Sequence, residues 1–305
     1  MESSTSPLDV VSKVLLLAAF PAVDPLRASG WLALGLTAAL AVLVANLAGG
    51  RARVLLRGTA PGPGRGRLAL AGWTALVATG AVLAPGVAEA ASYRMEGPLF
   101  ALAWAGAAWS AATGRLRGLV AWGVLVALTR PEGLLLVPVL GWIVGGSDRR
   151  LALRAAAVGA ALAAALTGVR FAVYGALLPN TFHAKSSDSR WNESADGAAY
   201  LASAAVTWSG AGVLLLAVGL AATVRRAGPP GAPARRLLVL AAVFGAVVVV
   251  SGGDGYRGAR LAMPVGLTVW LAAAAAGPGR AAPGGRVLVL ALALQAVGGA
   301  PRPGP

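Results

Sequence analysis

The feature that most constrains this chain is a recurrence. Apolar runs of about twenty residues follow one another from end to end, separated by short breaks rich in Arg, Gly and Pro. The hydrocarbon core of a bilayer takes about 20 apolar residues per helical crossing. Inside it, each backbone N–H and C=O must find a partner within the protein, which leaves helices or a closed barrel. A barrel would alternate apolar and polar residues in strands of about ten, and Leu151 to Val169 does not alternate. Only 12% of the residues are charged and 57% are hydrophobic, too oily a balance for a water-soluble domain. The expectation is an all-α, polytopic transmembrane helical bundle of about ten crossings, some of them half-length.

The expected crossings are 29 to 48, 68 to 87, 98 to 112, 118 to 129, 133 to 146, 155 to 174, 206 to 224, 237 to 250, 261 to 277 and 285 to 298. They make one transmembrane domain, 29–298, with an opening segment 1–28 and a tail 299–305. Leu8 to Ala22, with Lys13 inside it, is too short to span and reads as an interfacial or re-entrant helix. Pro131 and Gly133 break the chain between two short passes.

A net charge of +15 and a pI near 11.7 would suit nucleic acid if the charge formed a surface patch. It does not. Arg51, Arg53, Arg57, Arg65, Arg67, Arg115, Arg117, Arg149, Arg150, Arg154, Arg225, Arg226, Arg235, Arg236, Arg280 and Arg286 fall on alternate connections, with Asp148 the one acid among them. By the positive-inside rule those connections are cytoplasmic, and the excess charge is topological. Loops 49 to 67, 225 to 236 and 278 to 286 read as flexible connectors. Chemistry is expected on the other side, in loops 88 to 97, 175 to 205 and 251 to 260. The chain has no cysteine and a single histidine, His183, so no metal-ligand set is legible.

Ionisable groups in apolar helical surroundings are candidates for function, because an unpaired charge in lipid costs several kcal/mol. Five polar clusters qualify. Tyr93-Arg94-Met95-Glu96-Gly97-Pro98 sets a carboxylate just before a helix start, where the helix dipole alone also favours it. Leu128-Thr129-Arg130-Pro131-Glu132-Gly133 is a charged kink, either a site or an Arg–Glu pair that satisfies a broken helix. Arg170 to Lys185 carries Asn180 and His183; its cations can hold a lipid phosphate or snorkel to headgroups. Ser251 to Arg260 joins glycines to Asp254, Tyr256, Arg257 and Arg260, suited to an anion or to a plain turn. The fifth, Glu2-Ser-Ser-Thr-Ser-Pro-Leu8, is polar and leads into the first short helix.

In this order the clusters resemble the GT-C superfamily of polytopic glycosyltransferases that use polyprenyl-phosphate sugars, especially bacterial relatives of the terminal β-(1→2)-arabinofuranosyltransferase. The resemblance runs through Glu2 to Leu8, Arg94 to Phe100, Leu128 to Gly133, Tyr174 to Lys185 with its Leu-Pro-Asn-Thr core, and Gly252-Gly-Asp254 with Arg257 and Arg260. It implies transfer of a sugar from a polyprenyl-phosphate donor to a cell-envelope glycan or other extracytoplasmic acceptor, in a multi-pass protein of the bacterial inner membrane. Arg130, Arg170, Lys185, Arg257 and Arg260 would stabilise the leaving phosphate, with Asn180, His183 and Tyr256 also at the substrate. Glu96, Glu132 and Asp254 would orient the sugar. The main base, on an acidic outer loop of the family, is expected to precede Met1, through a start placed too late or a shortened, inactive copy. The rival expectations are a secondary transporter, which also uses broken helices, and a non-catalytic membrane protein.

Overall fold

The computed structural model describes residues 7–20, 23–56, 63–84, 87, 97–130, 138–143, 149–175, 190–207, 210–225, 231–253, 261–278 and 285–298. Among them run α1 (Pro7–Ala19), α2 (Pro25–Leu56), α3 (Pro63–Val82), α4 (Gly97–Ala112), α5 (Leu116–Thr129) and α6 (Arg149–Tyr174). There follow α7 (Arg190–Thr207), α8 (Gly210–Val224), α9 (Ala232–Val250), α10 (Met263–Ala276) and α11 (Gly285–Gly298). No strand occurs among the described residues.

Among the described residues, three helices are long and apolar enough to cross a bilayer: Pro25–Val54 in α2, Arg149–Val169 in α6, and Ala232–Val250, which is α9. A fourth is added if α7 and α8 form a single span bent by 92°. Of the ten expected crossings, then, three have full length among the described residues. A fourteen-residue helix such as α10 reaches only about 21 Å, against roughly 30 Å of hydrocarbon. The outward sides are oily: Trp31, Leu34 and Val42 on α2, Leu153 and Val169 on α6, and Val239 and Val250 on α9 are exposed. Exposed apolar side chains of this kind suit lipid better than water, and these helices suggest a membrane protein.

Several boundaries differ from the sequence reading by most of a helix turn or more, among them two in expected connections. The connector expected at 49 to 67 begins later, because α2 runs on to Leu56 and carries Arg51 and Arg53 on helix. The outer loop expected at 175 to 205 contains α7, whose Gly197, Tyr200, Leu201 and Ala204 form the helical spacing that turns inward. The expected crossing 133 to 146 lies mostly outside the described residues; 138–143 is helical.

The chain divides into two compact units, Met1–Thr37 with Ala90–Ser189, and Ala38–Glu89 with Arg190–Pro305. Unit 1 is built on α4, fourteen of whose residues are buried. Its sequence, GPLFALAWAGAAWSAA, is apolar on every side and rich in Ala and Gly, which marks a helix surrounded by others rather than one with a wet face. In lipid the hydrophobic effect does not drive helices together, so close packing through small residues must. Gly106 shows the fit: a Cβ there would fall on the Trp122 indole of α5. Gly141 likewise lies against the backbone of Ala155 in α6.

Unit 2 is built on α10, buried from Met263 to Ala276 except at Val265. It packs on α9, α8 and α3. Its last carbonyls fall short of any following turn, and one is satisfied from elsewhere: Arg51 Nε donates to the Ala275 carbonyl at 3.1 Å, a cation at the negative end of the helix. At mid-helix the Trp270 indole N–H donates to Gln295 Oε1 of α11 at 3.0 Å. Gln295 is 1% exposed, and its amide Nε2 has no hydrogen-bond partner among the described residues.

Gln295→Leu alone strands the Trp270 N–H, a loss of about 1–3 kcal/mol. The double variant Trp270→Phe/Gln295→Leu removes both polar groups and is expected to melt higher than Gln295→Leu, despite the smaller ring. Thermal melts in detergent decide this; a double variant less stable than the single one would show that ring volume outweighs polar pairing here.

Candidate functional site

Arg130 is where sequence and structure meet most closely. It precedes Pro131, and a residue before proline is pushed away from helical geometry. Accordingly α5 stops at Thr129, and Arg130 is extended, with φ −145° and ψ 136°. Its N–H still closes the last turn on the Val126 carbonyl at 3.1 Å. The Thr129 hydroxyl lies 2.9 Å from the Leu125 and Val126 carbonyls, so the helix end is satisfied locally.

The Arg130 side chain turns into unit 1. It is 7% exposed, and its guanidinium carbon lies 5.2 Å from the centroid of the Phe100 ring. Phe100 sits in the first turn of α4 and stacks at 6.1 Å on Trp104. A desolvated cation over an aromatic face is worth about 2 kcal/mol. The α4 N-terminus adds partial positive charge, because the first N–H groups of a helix have no partner within it. Phe100 and Arg130, about thirty residues apart in the chain, therefore meet at the start of α4.

In unit 2 the cluster from Ser251 begins with a helix cap. Ser251, Gly252 and Gly253 donate to the carbonyls of Val247, Val249 and Val248, which closes α9. Gly252 and Gly253 have φ of +76° and +73°, a left-handed geometry that glycine adopts without a Cβ clash. α7 lies against this turn: a Cβ on Gly252 would meet Glu193, and one on Gly253 would lie 2.7 Å from Tyr200 Cβ. The Tyr200 hydroxyl accepts from the Leu261 N–H at 3.1 Å.

Of the residues singled out from the sequence, Arg130 has the placement just given and Arg170 lies near the C-terminal end of α6. Glu96, Glu132, Asn180, His183, Lys185, Asp254, Tyr256, Arg257 and Arg260 lie outside the described residues. Among the described residues, no group of three His, Asp or Glu side chains is placed to hold a metal ion. Tyr200 was missed from sequence, because an uncharged tyrosine in a stretch read as loop gives no signal; the spacing Gly197, Tyr200, Leu201, Ala204 was the available clue. No family model, curated protein or solved structure matches this chain.

Proposed function

We propose that this is a membrane glycosyltransferase that moves a sugar from a polyprenyl-phosphate donor to an extracytoplasmic cell-envelope acceptor. The supporting observation is Arg130, a guanidinium 7% exposed at the end of α5, with its carbon 5.2 Å from the centroid of the Phe100 ring. A cation held in that way within an apolar bundle is a candidate for gripping an anion, and a lipid phosphate is the anion a bilayer delivers. The order of the polar motifs, from Glu2 to Arg260, supports the same reading.

Inverting transfer needs a base near the acceptor hydroxyl and cations at the departing phosphate. On this reading Arg130, Arg170, Lys185, Arg257 and Arg260 are the cations, while Glu96, Glu132 and Asp254 orient the sugar. Asn180, His183 and Tyr256 contribute further contacts to it. The base belongs to the acidic loop that the family resemblance implies. Reconstitution of the full-length form, carrying the acidic loop that the resemblance implies, with a polyprenyl-phosphate sugar should give transfer, and Arg260→Ala and Lys185→Ala should each reduce it about tenfold or more while the protein stays folded. Wild-type turnover in both variants would remove these residues from the site.

A second reading has its own observation. The 92° bend between α7 and α8 is a discontinuous helix pair, the device secondary transporters use to expose backbone groups to substrate. The same proteoliposomes separate the two: solute flux without sugar transfer would favour the transporter.

A further inference from the structure

Within unit 1, α5 and α6 leave a crevice of about 200 Å³ between them, open to the outside. Leu116, Leu119 and Val120 of α5 line one wall, and Ala155, Val158 and Leu162 of α6 line the other. On each helix these residues recur at three and four places, the spacing of a single face. All are apolar, so nothing in the walls favours water or a polar ligand. Val120 and Val158 are exposed, and of the three spans α6 keeps the smallest share of its apolar stretch inside the protein.

One end of the crevice is basic. Both helices start there: Arg115 and Arg117 flank Leu116, and Arg149, Arg150 and Arg154 occupy the opening turns of α6. All five are exposed, and neither helix contains an acid. Helix side chains lean toward the N-terminus, so Arg154, one turn before Val158, carries its guanidinium away from the apolar walls and toward headgroup level. Arg150 to Leu162 covers about 18 Å of helix, close to the roughly 15 Å of hydrocarbon in one leaflet. An oily slot under a cationic rim matches an acyl chain below a negative headgroup. A helix from a second copy fits less well. It is about 10 Å across, and a copy side by side in the same bilayer would bring its own five arginines to the seam, where like charges repel.

We propose that the α5–α6 crevice binds an anionic phospholipid, with one acyl chain along Val120 and Val158 and the phosphate held by Arg117 and Arg154. The inference does not use the glycosyltransferase reading, and the lipid is a bilayer component distinct from the sugar donor. An arginine near the membrane surface strengthens attachment to anionic lipid about fivefold, and its fork can hold two phosphate oxygens.

The test uses the full chain in dodecyl maltoside, titrated with dioleoyl phosphatidylglycerol, dioleoyl phosphatidylcholine or inorganic phosphate, with bound molecules counted by native mass spectrometry. The wild type is expected to hold one phosphatidylglycerol about tenfold or more tighter than phosphatidylcholine, and inorganic phosphate should not displace it. Arg117→Gln/Arg154→Gln should bring phosphatidylglycerol down to the phosphatidylcholine level. Val158→Trp fills the slot and should lower retention of both lipids. Arg225→Gln/Arg235→Gln removes two exposed arginines from unit 2, and Leu153→Trp puts the same ring on α6 outside the crevice; both should bind as the wild type does. Exposed positions tolerate such changes, and a thermal melt of each variant checks the fold. Should Val158→Trp melt low, the arginine pair decides alone. Equal retention of the two lipids by the wild type would overturn the site, as would the same loss in the control arginine pair. Displacement by inorganic phosphate would show an anion site that makes no use of the crevice, and a dimer broken by Val158→Trp would give the crevice to a second copy; either result overturns the proposal.

Discussion

Under the proposed glycosyltransferase reading, Arg130→Ala should lower kcat/KM for sugar transfer by about a hundredfold or more, a loss of roughly 2.7 kcal/mol of transition-state stabilisation. The reason is placement. The guanidinium is buried, it stands over Phe100, and it ends a helix whose own hydrogen bonds are complete. Removing it takes away a charge without dismantling α5. Arg130→Lys keeps the charge but loses the flat face that lies on the ring and the fork that can hold two phosphate oxygens, so an intermediate loss of about tenfold is expected. Phe100→Leu separates the brace from the charge: it should weaken donor binding less than Arg130→Ala does. Steady-state kinetics in nanodiscs, beside a thermal melt of each variant, would settle the point. An active Arg130→Ala enzyme would mean that the buried cation serves the fold alone.

Gly212→Val is expected to be among the most damaging single changes to stability in unit 2. A Cβ at Gly212 would run into the Ala291 carbonyl of α11 and lie 3.0 Å from Gln295 Cγ, so α8 and α11 must separate to admit a side chain. Overpacking of this kind costs about 1–3 kcal/mol where neighbours can shift, and more against backbone. In lipid the separated faces lose little by meeting acyl chains, so nothing beyond packing pulls them back together. Gly35 and Gly72 have open space where a Cβ would point, and Gly35→Val and Gly72→Val serve as controls. The Gly212 variant should melt well below both and lose its monodisperse peak in detergent. A melting temperature equal to that of the controls would show that this contact does not hold the two helices together.

Much of the helix content was legible because α2, α6 and α9 are long oily runs, and length alone identifies them. What surrounds a helix was less so. α10 and α9 are about equally apolar, yet α10 is enclosed by protein while the outward side of α9 is exposed. Lipid and protein interior ask for the same polarity, so composition does not separate them; the alanine run Ala272 to Ala276 was the available hint. α7 was read as loop because Asn192, Glu193 and Asp196 dominate its first turns and mask the inward stripe behind them.

The candidate site divides the same way. Arg130 stood out because a charged residue before proline in apolar flanks is costly to keep. Its partner Phe100 was visible as a residue but not as a contact, since the pairing of α4 with α5 is tertiary information. The tie between Gln295 and Trp270 was invisible for the same reason: one is on α11, the other on α10, and neither carries charge.

The outward flanks of α2, α6 and α9 bear on how this sequence can change over time. Exchanging Leu, Val and Ala there swaps one oil-soluble group for another, so drift on those sides is nearly free. Selection is left with a handful of positions, chiefly glycines such as Gly80, Gly106, Gly197 and Gly212 where helices touch. A protein of this build would wander far in sequence while its shape is held by residues that have almost no side chain.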